Sequence, residues 1–237
     1  MLTRTALVLH GGGGPATVAT IAAHLSSTFD VVAPVHPGWD GTAGIPGDTI
    51  RDLAARYLDD LGDDVLVVGS SVGGWIAAEM AVQDARRPEG RRAIGQLVLV
   101  DTVGIEVAGE PIRDFFALDA RGVAEYAWAD PERGFVDPAT LTPERTATMR
   151  GNALALRSYA EDPYMHDPAL ADGLRSIAAP TLVLWGSADR IVTPGYGRAV
   201  AAHIPGGTFV LVDDAGHLPH LENPAATFAA LDEFVDL

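Results

Sequence analysis

Six short runs of apolar residues recur along the chain, and none of them alternates between apolar and polar positions. A continuous apolar run of this length is typical of a strand buried on both faces of a parallel sheet. The runs are TALVLHG from Thr5, DVVAPV from Asp30, DVLVVGS from Asp64, QLVLVD from Gln96, PTLVLWG from Pro180 and GTFVLVDD from Gly207. The pattern therefore predicts a mostly parallel sheet of about six strands.

Helical patterns occupy the intervals between several of these runs. They cover residues 17–27, 48–62, 73–87 and 223–237. In the last of them Asn223 is a good N-cap residue, and Pro224 stands at the first helical position. Strands that alternate with helices predict an α/β fold in which helices cover both faces of the sheet.

The interval from about Glu106 to Ile177 breaks this alternation, because it contains no convincing strand. A structureless loop of that length is uncommon in a compact domain. Residues 110–128 and 142–161 have helix-compatible patterns, and prolines separate them. The prediction is a helical cap at 106–177, inserted between core segments 1–105 and 178–237. The alternative is a set of surface helices with no role in binding.

Composition and charge narrow the class of protein. Hydrophobic residues make up 48% of the chain and charged residues 20%, as in folded globular proteins. The formal net charge of -16 disfavours nucleic acid and anionic membranes as partners. A small-molecule substrate is expected, and the protein itself is expected to be a monomer or a homodimer.

Two kinds of chemistry find no support in the sequence. The chain has no cysteine, which excludes disulfides, thiolate metal sites and a cysteine nucleophile. It also lacks an H-E-x-x-H motif, so neither a metal nor an organic cofactor is expected. The first apolar run is too short to span a membrane and lacks the flanking pattern of a signal peptide, so a cytoplasmic location is expected.

The stretch VGSSVGGW contains a G-x-S-x-G pattern only when Ser71 is at its centre, between Gly69 and Gly73. A nucleophile on a tight strand-to-helix turn has a strained backbone, and the residues two before and two after it must be nearly free of side chain. An apolar strand precedes this stretch and a helical pattern follows it, as the turn requires. Ser71, and not Ser70, is therefore the candidate nucleophile.

A serine hydroxyl needs a base, and the base needs an orienting acid. His217 follows the last predicted strand and would lie at the same sheet edge as Ser71, whereas His220, His10 and His36 are weaker candidates. Asp189 follows the fifth strand, which gives the order Ser, Asp, His. Asp101, at the end of the fourth strand, is the alternative acid.

An oxyanion intermediate also needs preorganised N–H donors. The N–H of Val72, directly after the nucleophile, is one candidate. The glycine run after the first strand offers the other, with Gly12 first and Gly13 as the alternative. A phosphate-binding loop of the G-x-x-x-x-G-K-[ST] type is rejected, because the chain contains no lysine.

Taken in order, LHGGGG, APVHPGWDGT, VGSSVGGW, PTLVLWGSADRIV and AGHLPHLENP resemble the α/β-hydrolase superfamily. The resemblance is to its small serine hydrolases with a helical cap, both carboxylesterase-like and carbon–carbon hydrolase-like. It covers nearly the whole chain outside the cap and implies Ser71 as nucleophile, Asp189 as acid and His217 as base. It does not identify a substrate, because this fold hosts many chemistries.

Two departures from the superfamily pattern are informative. Most members have an antiparallel strand pair before the strand that ends in His-Gly, whereas this chain begins almost on that strand. A smaller sheet with an exposed edge is therefore expected. The elbow also carries serine where epoxide hydrolases and haloalkane dehalogenases carry aspartate, which argues against their chemistry.

Three functions are compatible with these residues. The first is hydrolysis of a small carboxylic ester or lactone through an acyl-enzyme. The second is carbon–carbon bond hydrolysis of vinylogous diketone ring-cleavage products, for which Arg150 and Asn152 would bind the anionic dienoate. The third is a catalytically silent ligand-binding homologue. Further candidate substrate contacts are aromatic: Trp39, Trp75, Phe115, Phe116 and Trp128, each of which is alternatively a core residue.

Overall fold

A parallel six-stranded sheet forms the centre of the protein in the computed structural model, which describes residues 4–236. The strands are β1 (Thr5–Leu9), β2 (Asp30–Val32), β3 (Val65–Ser70), β4 (Ile94–Val100), β5 (Thr181–Gly186) and β6 (Thr208–Val212). Their spatial order is β2-β1-β3-β4-β5-β6, and every neighbouring pair is parallel. All six predicted strands are present, and among residues 4–236 no antiparallel strand joins this sheet.

Burial along the strands explains why the central strands appear in the sequence as continuous apolar runs. Every residue of β3 and β5 is buried, because these strands have neighbours on both sides and helices on both faces. The edge strands β2 and β6 are only partly covered. The central strands therefore read as continuous apolar runs, as parallel strands in this position do.

Helices connect the strands and cover both faces of the sheet. The α-helices are α1 (Ala19–Leu25), α2 (Ile50–Asp59), α3 (Val72–Ala85), α4 (Ala120–Ala127), α5 (Pro131–Gly134), α6 (Pro143–Ala160), α7 (Leu170–Gly173), α8 (Pro194–His203), α9 (Pro219–Glu222) and α10 (Pro224–Val235). Short 3-10 segments lie at Pro15–Val18, Glu89–Arg91, Phe115–Ala117, Pro138–Thr140 and Leu174–Ser176. The predicted α/β architecture, with helices flanking the sheet, is confirmed.

Local capping fixes where several of these helices begin. Thr49 and Asp52 form a capping box at the start of α2, in which each side chain bonds the other residue's backbone N–H. Thr142 caps α6, and Asn223 caps α10 by accepting the N–H of Ala226. The last of these is the cap predicted from the sequence.

The core is divided by the sheet into two layers. On one face, side chains from α2, α3 and α8 pack together, among them Leu53, Ile76 and Val200. On the other face, α1 and α10 contribute Ile21 and Leu231. Because all strands are parallel, the loops that follow β1, β3, β5 and β6 meet at one edge of the sheet, where ligands bind in folds of this kind.

The segment between β4 and β5 contains helices α4 to α7 and no named strand. An isolated bridge pairs Gly104, near the start of this segment, with His166, which precedes α7. The helical content is as predicted, while the division of the chain at 106 and 177 into core and cap stays a prediction. Among residues 4–236, no helix has the length and apolar character needed to cross a membrane.

Candidate active site

Ser71 lies on a strained turn between β3 and α3. Its backbone angles are φ 56° and ψ -120°, a region that L residues other than glycine rarely adopt. A Cβ atom at Gly69 would lie 2.2 Å from the carbonyl oxygen of Gly73, and one at Gly73 would lie 2.2 Å from that of Leu9. The turn therefore closes only because both positions are glycine.

The two adjacent serines have different surroundings. Ser70 ends β3, and its hydroxyl is buried without a hydrogen-bond partner among the described residues. The hydroxyl of Ser71 lies 3.0 Å from Nε2 of His217. The turn thus presents Ser71 to the imidazole and points Ser70 into the protein.

His217 is oriented by a buried carboxylate. Its Nδ1 lies 2.7 Å from Oδ2 of Asp189, and that carboxylate side chain is fully enclosed. The other oxygen of Asp189 accepts the backbone N–H groups of Ile191 at 2.8 Å and Val192 at 3.2 Å. Because a carboxylate can only accept, Nδ1 carries the proton and Nε2 offers its lone pair to Ser71.

Asp101, the alternative acid, lies near this pair without bonding to the histidine. One of its oxygens accepts the N–H of Gly186 at 2.9 Å, and the other is buried without a partner among the described residues. Burial, and next the neighbouring Asp189, raise the pKa of Asp101 well above its ordinary value. The structure places Asp189, and not Asp101, in contact with the imidazole.

One cluster among the described residues has the spacing of metal ligands. It consists of Asp101, Asp189 and His217, and one ligand atom of each lies within 4.8 Å of the others. Asp189 and His217 already satisfy each other through a short hydrogen bond. The geometry is that of an acid orienting a base.

The glycine loop after β1, residues 11–14, lies beside Ser71. A Cβ at Gly11 would be 3.0 Å from that of Ser71. Val72 begins α3, so its N–H has no partner within the helix. Within residues 4–236, the N–H groups of Gly12, Gly13 and Val72 donate to no protein acceptor, so they are available to a negatively charged oxygen.

An apolar cavity of about 150 Å³ opens directly onto this arrangement. Its walls include Ser71 and His217 at one end. The remaining lining residues are Gly11, Gly12, Gly13, Thr17, Val72, Val103, Ile112, Phe115, Val123, Ala127, Trp128, Leu156, Met165, Ile191 and Leu218. No aspartate, glutamate or arginine is among them, and eight of them come from the segment between β4 and β5.

A family model described as "Alpha/beta hydrolase family" matches residues 6–231, which include every feature of this site. The chain belongs to the alpha/beta hydrolase family. Its resemblance to that superfamily, inferred above from five motifs, is confirmed.

Individual relatives within the family differ in activity. The chain is 27% identical to a pimeloyl-[acyl-carrier protein] methyl ester esterase of Aromatoleum aromaticum, over 97% of each chain. It is 28% identical to a 2-hydroxy-6-oxononadienedioate/2-hydroxy-6-oxononatrienedioate hydrolase of Paraburkholderia phymatum, over 92% of this chain and 82% of that one. A putative lipase structure from Acinetobacter baumannii superimposes with a TM-score of 0.76 at 20% identity, covering 98% of this chain and 83% of that one.

Among the aromatic residues predicted to contact substrate, only Phe115 and Trp128 line the cavity. The ring of Trp39 is fully buried beneath the glycine loop and donates its Nε1–H to the carbonyl of Gly12 at 2.9 Å. Trp75 is buried on α3 against Gly104. Phe116 faces Arg157, whose guanidinium lies 4.3 Å from the ring centroid. None of these three rings lines the cavity beside Ser71.

The two polar residues predicted to bind an anionic substrate are also placed elsewhere. Arg150 lies on an exposed position of α6 and does not line the cavity. Asn152 is buried, but its amide is bonded to the glycine loop and to Asp40. Helix α6 faces the core with only one side, so Arg150 points to solvent, whereas Asn152 is on the buried side and its amide is occupied by the glycine loop and Asp40.

Two histidines that were ranked below His217 support the glycine loop. His10 donates Nδ1–H to the carbonyl of Gly11 at 2.8 Å and accepts the N–H of His36 on Nε2. Burial lowers the pKa of His10, and lowers that of His36 well below its ordinary value. His10 is neutral, as the N–H that its Nε2 accepts requires, and the lowered pKa of His36 favours the neutral form of that ring as well.

His220 has a similar supporting role. It is buried and donates Nε2–H to the carbonyl of Thr17, 2.7 Å away, on the cavity wall. Burial lowers its pKa to about 4. His220 therefore stabilises the wall of the cavity in its neutral form.

Several cavity residues were not anticipated from the sequence, among them Ile112, Val123, Leu156, Met165 and Ile191. Val123 and Leu156 lie on the apolar faces of α4 and α6. A search of those two faces for side chains that recur at helical spacing would have found them. Nothing in the sequence marks Met165 or Ile191, because both lie in irregular segments.

Proposed function

We propose that this protein is a serine hydrolase that cleaves small carboxylic esters or lactones with an uncharged, apolar acyl group, through an acyl-enzyme intermediate. The observation that carries the proposal is the hydrogen-bonded series from Ser71 through His217 to Asp189 at the end of an apolar cavity. Each role requires a particular atom, and the structure has that atom within hydrogen-bond distance.

Acylation begins with the Ser71 hydroxyl, which attacks the ester carbonyl carbon while Nε2 of His217 takes its proton. The imidazolium that forms is stabilised by Asp189 through the 2.7 Å contact at Nδ1. His217 then returns the proton to the leaving alcohol as the carbon–oxygen bond of the ester breaks. The acyl group is left on Ser71.

The tetrahedral intermediate in this step carries a negative oxygen. The N–H of Val72, at the start of α3, and that of Gly12 or Gly13 are the donors for it. Donors of this kind are already oriented before the reaction, so they stabilise the transition state without reorganisation. Removing one of them typically costs about 10²–10³ in kcat.

Deacylation repeats the chemistry with water as the nucleophile. His217 takes a proton from water as its oxygen attacks the acyl carbon, and then gives the proton back to Ser71. The acid is released, and the enzyme returns to its starting state.

The cavity supports a small, uncharged substrate. Its volume of about 150 Å³ is well below the roughly 300–1,000 Å³ of pockets for drug-sized ligands. Apart from the catalytic groups and Thr17, its walls are apolar side chains and glycines. A buried anion in such a site would lack a partner, which is energetically costly.

That cost argues against carbon–carbon bond hydrolysis of an anionic dienoate. Arg150 is exposed outside the cavity, and Arg157 is paired with Glu161 at 2.6 Å and with the carbonyl of Phe116. Carbon–carbon bond hydrolysis is the second candidate function, because the relative from Paraburkholderia phymatum is a 2-hydroxy-6-oxononadienedioate/2-hydroxy-6-oxononatrienedioate hydrolase. The cavity lining favours the ester reaction.

The experiment is hydrolysis of a p-nitrophenyl ester series from acetate to octanoate, beside a dienoate ring-cleavage product. We expect turnover of the shorter esters, no cleavage of the dienoate and no turnover by Ser71→Ala. Faster cleavage of the dienoate than of any ester would overturn the proposed substrate class. Ester turnover that survives Ser71→Ala would overturn the proposed mechanism.

A further inference from the structure

We infer that Asn152, on helix α6, is a positioning residue for the oxyanion hole: it holds the glycine loop so that the N–H groups of Gly12 and Gly13 face Ser71. The inference rests on the proposed function, since it assigns a role within the same reaction. It also replaces the substrate-binding role that the sequence predicted for this residue.

The amide of Asn152 joins two loops. Its Nδ2 donates to the carbonyl of Gly13 at 3.2 Å and to Oδ1 of Asp40 at 2.9 Å. Its Oδ1 accepts the backbone N–H of Asp40 at 2.8 Å. Because that N–H can only donate, the orientation of the amide is fixed. Both N–H groups of the side chain are used, and none is left for a substrate.

Every carbonyl of residues 11–13 is held by a donor. That of Gly11 accepts from His10 at 2.8 Å and from the N–H of Gly14 at 3.1 Å. That of Gly12 accepts from Trp39, and that of Gly13 from Asn152. In a trans peptide the N–H points opposite to the carbonyl of the preceding residue. Holding these carbonyls therefore sets the directions of the N–H groups that follow them.

Asn152 acts on this loop by two routes. It fixes the peptide between Gly13 and Gly14, and the N–H of that peptide closes the turn onto the carbonyl of Gly11. It also fixes the backbone of Asp40, the residue after Trp39, whose indole holds the carbonyl of Gly12. Losing the amide would loosen both supports at once.

The glycines of the loop are explained by the same helix. A Cβ at Gly14, where φ is +93°, would lie 2.6 Å from Nδ2 of Asn152, and a Cβ at Gly12 would lie 2.7 Å from Leu156. Asn152 and Leu156 are four residues apart, so they lie on one face of α6. Helix α6 thus rests directly on the loop, and its placement and the geometry of the oxyanion hole depend on each other.

The test compares Asn152→Ala with Leu154→Ala, a control at an exposed position of the same helix. We expect kcat of Asn152→Ala to fall about 10- to 100-fold, by the same factor for every ester of the series, with KM within about twofold. The Ki of a trifluoromethyl ketone, whose adduct with Ser71 carries an oxyanion, should rise by the factor lost in kcat/KM. Leu154→Ala should match the wild type in all three measurements.

A second variant tests the inference independently, in case Asn152→Ala does not fold. Trp39→Phe removes the donor to the Gly12 carbonyl but keeps an aromatic ring beside Tyr159, and it should show the same loss in kcat at constant KM. A rise in KM alone, a loss that differs between esters, or kcat within twofold of the wild type for both variants would overturn the inference. In each of those cases the proposed function stands if Ser71→Ala is inactive.

Discussion

A carboxyl oxygen of Asp101 lies within 4.8 Å of one of Asp189, in a region closed to solvent, and only Asp189 bonds to His217. Two neighbouring carboxyl groups in such surroundings do not both ionise. Burial and the proximity of Asp189 raise the pKa of Asp101 well above its usual range, so Asp101 is the group that keeps its proton. Asp189, which lies 2.7 Å from Nδ1 of His217, is the side chain placed to stabilise the imidazolium.

This difference predicts unequal effects of two amide substitutions. Asp101→Asn keeps a neutral group of the same shape, so kcat/KM should stay within about tenfold of the wild type. Asp189→Asn should lose about 10⁴ in kcat, because the amide stabilises the wrong tautomer of His217. Steady-state kinetics of both variants on one short ester gives the answer. If Asp101→Asn were the more damaging change, Asp101 would be the orienting acid.

We expect Glu79, on α3, to make the stability of the folded protein depend on pH. Burial, and next the nearby Asp167, raise its pKa to about 7, while Arg51 and Arg86 oppose the shift. Between the unfolded value of about 4.3 and 7, the folded state keeps a proton that the unfolded state has released. The free energy of unfolding therefore falls as pH rises through this window, by up to about 4 kcal/mol.

Glu79→Gln should remove that loss. Thermal unfolding at pH 8 should show the variant more stable than the wild type, and at pH 4 the two should agree. Glu89→Gln, at an exposed position, is the matched control and should have no effect at either pH. Equal stability of Glu79→Gln and wild type at pH 8 would mean that Glu79 is ionised in the folded protein.

We expect the side chain of Trp128 to limit the length of the acyl group that the cavity accepts. It is the largest side chain in the wall, and Trp128→Ala would extend the space beside Phe115 and His217. The ratio of kcat/KM for octanoate to that for acetate should rise about tenfold or more, since each added methylene in an apolar pocket contributes about 1–3 kcal/mol. Met149→Ala, exposed on α6 outside the cavity, should leave the ratio unchanged. An unchanged ratio in Trp128→Ala would place the acyl group elsewhere.

Most of the fold was predictable because its central strands are buried on both faces and read as continuous apolar runs. Helix α8 was not predicted. Its sequence, PGYGRAVAAH, contains two glycines and a proline, which weaken a helical pattern. Thr193 at its N-cap and Pro194 at its first position are the signals that would have located it.

Part of the candidate site was also predictable from the sequence, and part was not. The positions of Ser71, Asp189 and His217 follow from strand ends, which the sequence shows, and from the steric demands of the elbow. The cavity wall depends on how the segment between β4 and β5 packs on the core, and residue types do not determine that. Thus Trp39 supports the glycine loop from below and Asn152 from α6, although both were expected to touch substrate.

The most direct test of the account is mass spectrometry of the protein after reaction with a fluorophosphonate, in which a serine oxygen forms a bond to phosphorus and fluoride leaves. We predict one adduct per chain, mapped to Ser71, absent in Ser71→Ala, strongly slowed in His217→Ala and retained in Ser70→Ala. An adduct on Ser70, or no adduct on a folded wild-type protein, would contradict the assignment of Ser71 as an activated nucleophile.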